Sequence, residues 1–191
     1  MAAVTGSGKR IRAYRSERRS EQARQTRQRI LRAAHAAFLA SGYAGTTVHD
    51  IATAAGVSVK TVEAVFGTKR RVLKAVIDVV TAGDDLPVAV LQREVARAAE
   101  ATTDPVTFLA IVARAVATVA ENVADILVVV GQGAAVDEEI SAVAAQLDEQ
   151  RTVIAAWIVE NLTRRATLQP GLTERTAIDT VWLLLDPVVF R

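Results

Sequence analysis

The chain has 191 residues, of which 51% are apolar and only 4% aromatic, with ten glycines, four prolines and no cysteine. Disulfides and thiolate metal sites are excluded, and the apolar content is ample for a core. The net charge of +2 hides a division: residues 1–74 carry 15 Lys and Arg against 4 Asp and Glu, residues 75–191 carry 8 against 17. A strongly basic first part ahead of an acidic remainder places the expected nucleic-acid face at one end. Strand-like alternation is largely missing, so an all-α protein is expected. No stretch reaches about 18 uninterrupted apolar residues and residues 1–20 lack a signal-type apolar run, so neither a membrane helix nor export is expected and the location is read as cytoplasmic.

In chain order, residues 1–20 are polar and basic, with Lys9, Arg10, Arg12, Arg15, Arg18 and Arg19. They are expected to form a flexible arm, turning helical toward its end, that reaches a minor groove or adds general attraction to phosphates. From about residue 21 to 40 the spacing of Ile30, Leu31, Ala34, Phe38 and Leu39 predicts a helix, with His35 half-buried on it and Gly42 supplying the stop. Thr46 and Thr47 can cap a short helix over 48–55 that ends at Gly56; Ser58 caps another over 59–65 and Thr68 a fourth over 69–81. Helices this short are unstable alone and must pack on the first. Beyond the break at Ala82, Gly83, Asp84, Asp85 and Pro87, longer helices are predicted at 88–101, 106–120, 123–131, 137–166 and 173–185, punctuated by Pro105, Gly131 to Gly133, and Pro170 with Gly171. Residues 186–190 read as the start of one more helix, as though the chain were cut at Arg191.

Residues 46–76 (TTVHDIATAAGVSVKTVEAVFGTKRRVLKAV) have the layout of a helix-turn-helix. Ile51, Ala52 and Ala55 face inward, Gly56 makes the turn, and Val57 and Val62 fill the angle between the helices. The second helix then presents Val59, Lys60, Thr61, Glu63 and Ala64 outward, where its first turns can enter a major groove. The Thr47 and Ser58 hydroxyls stand at helix starts, beside N–H groups suited to phosphate oxygens, and Lys69 can clamp the adjacent backbone. Tyr43 is placed beneath the motif. His49 has no second ligand at metal spacing, so no metal is expected.

The pieces RILRAAHAAFLASGYAGTTVHDIATAAGVS and FGTKRRVLKAV, in this order and spacing, resemble the TetR (tetracycline-repressor) family of DNA-binding domains. The closing segment TAIDTVWLLLDPVVF is more weakly similar to the last helices of some members. The resemblance implies a homodimeric repressor acting on double-stranded operator DNA. Its sequence-reading helix falls on residues 59–65, its phosphate contacts on Thr47, Lys69 and residues of that helix, and His49 at the groove edge. The chain departs from the family at Glu63 and Val65, where members commonly carry tyrosine or histidine. Glu63 can instead accept from a cytosine amino group. The implied division is an arm at 1–22, a three-helix helix-turn-helix domain at 23–82, and a helical ligand-binding and dimerisation domain at 83–191.

That last region has no His or Cys and only scattered carboxylates, so no enzyme and no cofactor are expected. Its isolated polar groups within apolar stretches, Arg114, Asn122, Asp125, Gln132 and Trp157, are the candidate contacts for a small apolar ligand. Segments 150–162 and 174–185 are apolar around more of their girth than one chain covers. By the resemblance they form a four-helix dimer interface, with Val153, Trp157, Ile158, Ile178, Trp182 and Leu185 as candidates. Two rival readings are a DNA-binding protein without sequence preference and a ligand-binding module with a weakened helix-turn-helix.

Overall fold

A computed structural model describes residues 7–86 and 88–187, with side chains from residue 18 onward. Eight α-helices and no strand occur among them: α1 (Ser7–Gly45), α2 (Val48–Ala55), α3 (Val59–Phe66), α4 (Lys69–Ala82), α5 (Glu94–Ala101), α6 (Pro105–Ala134), α7 (Glu138–Thr163) and α8 (Glu174–Leu184). The expected all-α class holds.

The short helices fall where their caps put them. Thr47, Ser58 and Thr68 each accept a backbone N–H from the first turn of α2, α3 and α4, satisfying donors that a helix start leaves orphaned. The chain turns away from the helical path at Gly42 (φ 68°, ψ 177°), as its glycine signals. Three boundaries differ from expectation. Backbone helix begins at Ser7, so residues 7–20 form the start of α1 rather than a flexible arm. The side chains of Lys9, Arg10, Arg12 and Arg15 lie outside the described residues, as do residues 188–190 and the further helix expected there. The segment 88–101 divides into a 3-10 turn (Val90–Gln92) and α5, which starts only at Glu94.

The third difference is the largest. The two helices expected at 106–120 and 123–131 are one, α6, which runs for 30 residues with Gly131 and Gly133 inside it. Gly133 is not a break but a close approach: a Cβ there would stand 3.0 Å from Ile140 Cγ2 and 3.5 Å from Tyr43 Cβ. By length and composition α6 also meets the requirement for crossing a membrane. Here it packs against α1, α4, α5 and α7.

Two cores lie along α6. The larger joins Phe38 and Tyr43 of α1, Ile51 of α2, Val62 and Phe66 of α3, and Leu73 and Ile77 of α4 to Val123, Ile126 and Val130 of α6 and Ile140 of α7. The smaller gathers Ala99, Phe108 and Ile158, with Trp157, Val181 and Leu185 against them. Arg165 closes this end: its guanidinium donates to the carbonyls of Thr102, Glu100 and Asn161 and stacks 4.7 Å from the Phe108 ring. Carbonyls at the end of α5 that the helix leaves free are thereby satisfied.

Candidate nucleic-acid interface

The α2–α3 pair is built around its turn. Gly56 takes the left-handed conformation (φ 62°, ψ 42°), and Val57 N–H then donates to the Ala52 carbonyl at 3.0 Å. Arg29 reaches across from α1 and donates to the carbonyls of Ala55 and Gly56, fixing the turn to the long helix. Ile51, Ala52, Ala55, Val62 and Phe66 are buried beneath it, with Val57 half-buried. Phe66 also carries the Arg27 guanidinium 4.6 Å above its ring, and Arg27 pairs with Asp85 at 2.7 Å just beyond α4.

With its buried side anchored, α3 turns Ser58, Lys60, Glu63 and Ala64 to solvent, and Val65 is 38% exposed. Lys60 has no ion pair or hydrogen bond among the described residues, so its ammonium is free for a partner. Val59, expected to point outward, is half-buried and packs on the larger core. Thr61 is half-buried as well, its hydroxyl 2.8 Å from that of Ser58. At α2, Thr47 forms a reciprocal capping box with Asp50: its backbone N–H donates to Asp50 Oδ2 at 2.9 Å and its hydroxyl to the same oxygen at 2.6 Å. These Thr47 bonds hold the Asp50 carboxyl below its ordinary value. The Thr47 hydroxyl is therefore committed to its own helix. His49, two residues on, stands exposed.

Lys69 is placed differently from the phosphate clamp expected of it. Its Nζ donates to the Tyr43 carbonyl at 2.9 Å and the Thr46 carbonyl at 2.8 Å, and sits 4.1 Å above the Tyr43 ring. Burial lowers its pKa, with the Asp137 carboxylate acting in the opposite direction. Two of its three ammonium hydrogens thus lock the start of α4 onto the end of α1. The cation left open nearby is Arg71, exposed, with its guanidinium about the end of α3: a Cβ on Gly67 would lie 3.5 Å from Arg71 Nη1. Sequence reading passed over Arg71; its signal was the run Lys69-Arg70-Arg71 directly after the cap. Arg18, Arg19 and Arg32 are exposed along α1.

A short helix with an exposed polar face on a buried apolar prop, with capped neighbours, is the arrangement that enters a DNA major groove. Residues 30–76 match the family model described as bacterial regulatory proteins, tetR family. The chain carries a TetR-family DNA-binding domain. The match spans the end of α1 through most of α4, the elements that position the helix-turn-helix, and supports a DNA-binding transcriptional regulator. No curated protein matches it.

The remaining candidates are spread out. Arg114 and Asn122 are exposed on α6, and Trp157 is half-buried against Phe108 with its Nε1 donating to Glu100 at 3.0 Å. Asp125 and Gln132 do come together, lining an open groove of about 280 Å³ with Leu39, Gly42, Val128 and Val129 between α1 and α6. Among the interface candidates Val153 is 56% exposed, while Ile158 is 3% exposed inside the smaller core and is removed from that role. Leu185 and Trp157 pack against the same core, and Trp182 lies 3.8 Å under the Arg151 guanidinium. The exposed apolar residues sequence reading missed on α8 are Leu183 and Leu184. Among the described residues no group of three His, Cys, Asp or Glu could hold a metal.

Proposed function

We propose that the protein is a homodimeric repressor that sits on operator DNA through α3 and leaves it when a small apolar ligand binds between its helices. The observation that carries the DNA half is the unpaired, exposed Lys60 on a helix whose other face is locked into the core by Val62 and Phe66. Lys60 and Glu63 then lie at base edges, with Val65, Ser58, Thr61 and His49 around them; Thr47 and Lys69 act on the backbone by holding helix starts in place. Two copies must present their α3 helices about 34–36 Å apart to enter successive major grooves. Val153, Ile178, Trp182, Leu183 and Leu184 supply an apolar surface on α7 and α8 for the second copy.

The α1–α6 groove of Leu39, Gly42, Asp125, Val128, Val129 and Gln132 supports the ligand half, its wall shared about equally between apolar and polar surface, with Asp125 and Gln132 to orient an occupant. A ligand wedged there separates α6 from the helix that carries the turn, and DNA affinity falls by the difference in ligand affinity between the two arrangements.

Selection of bound duplexes from a random library tests the reading. The expected product is a two-fold symmetric site with half-sites about one helical turn apart, bound at least about a thousandfold above random duplex. Enrichment of no sequence would overturn it in favour of general DNA binding. Sedimentation of Leu184→Asp should shift a dimer toward monomer; an unchanged dimer removes α8 from the interface.

A further inference from the structure

We propose that a second groove, between α4 and α7, binds a small polyvalent anion of the carboxylate or phosphate class. The groove has a volume of about 260 Å³ and is lined by Arg70, Arg71 and Lys74 from α4 and by Ala142, Val143 and Gln146 from α7. Three cations within two turns of one helix repel one another, and no carboxylate is among the six lining residues. The nearest acids are at its edge: Glu139 stands 3.9 Å from Arg70 Nε, and Asp78 pairs with Lys74, both carboxylates more than half exposed. The Arg71 side chain has no hydrogen bond or ion pair among the described residues. Two guanidinium forks and an ammonium match the planar, multiply charged oxygens of a carboxylate or phosphate. Ala142 and Val143 give a short apolar floor, and the Gln146 amide can donate or accept.

Groove shape favours a small occupant over the DNA backbone. Half of its lining belongs to α7, outside the helices that frame the helix-turn-helix, and a concave slot suits a compact anion better than a duplex edge. The consequence follows from its place. An anion bridging Arg70, Arg71 and Lys74 to α7 neutralises the cations nearest the end of α3 and ties α4 to the acidic half of the chain. It therefore lowers DNA affinity. This site is separate from the α1–α6 groove and does not depend on that ligand.

The test uses the full chain with citrate and, in a parallel arm, inorganic pyrophosphate, each compared with KCl at equal ionic strength. At least one anion should raise Tm in a saturable way and bind with Kd of about 1 mM or tighter, while shifting the methyl resonances of Ala142 and Val143. Arg71→Gln and Lys74→Gln should each weaken it at least about tenfold, and Lys60→Ala should leave it unchanged. Which arm saturates assigns carboxylate or phosphate. The proposal is overturned if neither anion exceeds KCl, if both variants bind as the native chain does, or if the methyl shifts fall elsewhere. It is also overturned if Arg71→Gln lowers duplex affinity about tenfold while neither anion binds, which assigns the cations to DNA. Anion binding that persists in a chain with no sequence-selective DNA binding leaves this site standing while the repressor reading fails.

Discussion

Replacing Lys69 by Met separates two roles that sequence alone merges. Methionine keeps the length and apolar stem but removes the ammonium that now donates to the Tyr43 and Thr46 carbonyls and caps the Tyr43 ring. Hydrogen bonds from a charged donor contribute about 1.5–3 kcal/mol each, but the two cannot be summed in full. The Tyr43 carbonyl keeps a second donor, Thr46 N–H at 3.3 Å, and burying the ammonium has a cost visible in its lowered pKa. The ring contact adds about 0.5–1 kcal/mol. A net loss of about 2–4 kcal/mol follows, which in a chain of this size lowers Tm by about 5–12 °C. Urea unfolding measures the stability change, and duplex binding across a salt series measures the DNA term. If Lys69 acts as the lock, stability falls and the salt slope stays within about half a unit of the native value. Unchanged stability with a salt slope reduced by about one would restore Lys69 as a phosphate clamp and refute the reasoning.

Lys60→Ala should leave stability within about 0.5 kcal/mol, since the side chain is exposed and unpaired, yet weaken duplex binding measurably by fluorescence anisotropy; equal affinity would remove α3 from the groove. Gly133→Ala should cost about 1–3 kcal/mol in denaturant unfolding, because the new methyl meets Ile140 Cγ2 at 3.0 Å inside the core; a neutral or stabilising result would mean the α6–α7 turn yields freely. Asp84 is held at about 2 by hydrogen bonds from Arg93 and then from the Leu86 N–H. A carboxyl with a depressed folded pKa contributes stability above its ordinary value of 3.8 that is lost as pH falls toward about 2. Asp84→Asn should therefore flatten the acid limb of the stability–pH curve in that window, and an unaltered limb counts against the pairing.

Much of the DNA-binding end was legible because its signals are local. Thr47, Ser58 and Thr68 each stand one residue before a helix and take the N–H that their chemistry implies, and Gly56 turns where only glycine is comfortable. What could not be read was decided by neighbours distant in sequence. Lys69 looks like a surface cation until the carbonyls of Tyr43 and Thr46, 26 and 23 residues earlier, come within reach. Val59 looks like an outward residue until α3 settles on the core. Ile158 and Val153 read alike as apolar positions of one helix, but only the packing of Ala99 and Phe108 decides which is covered. Gly133 signals a break in the sequence because glycine is a common helix stop; here its missing side chain admits Ile140 and Tyr43.

The fusion of two expected helices into α6 changes how coupling between the ends has to be argued. By chain order α4, which directly follows α3, would be the bridge. Yet α4 is 14 residues long and lies within the larger core, whereas α6, at about 1.5 Å per residue, extends some 45 Å and borders both cores. Phe108 near its start belongs to the smaller core with α5, α7 and α8; Val123, Ile126 and Val130 belong to the core shared with α1 to α4. A straight helix transmits displacement along its length better than a loop, because bending it breaks hydrogen bonds in register. If α6 moves as a rod, a change in packing around Phe108, Trp157 and Arg165 would reach Tyr43 and, through Lys69, the start of α4. If that rod is the transmitter, shortening Phe108 should alter DNA affinity from the far end of the molecule, whereas a change confined to thermal stability would leave α4 to carry the coupling alone.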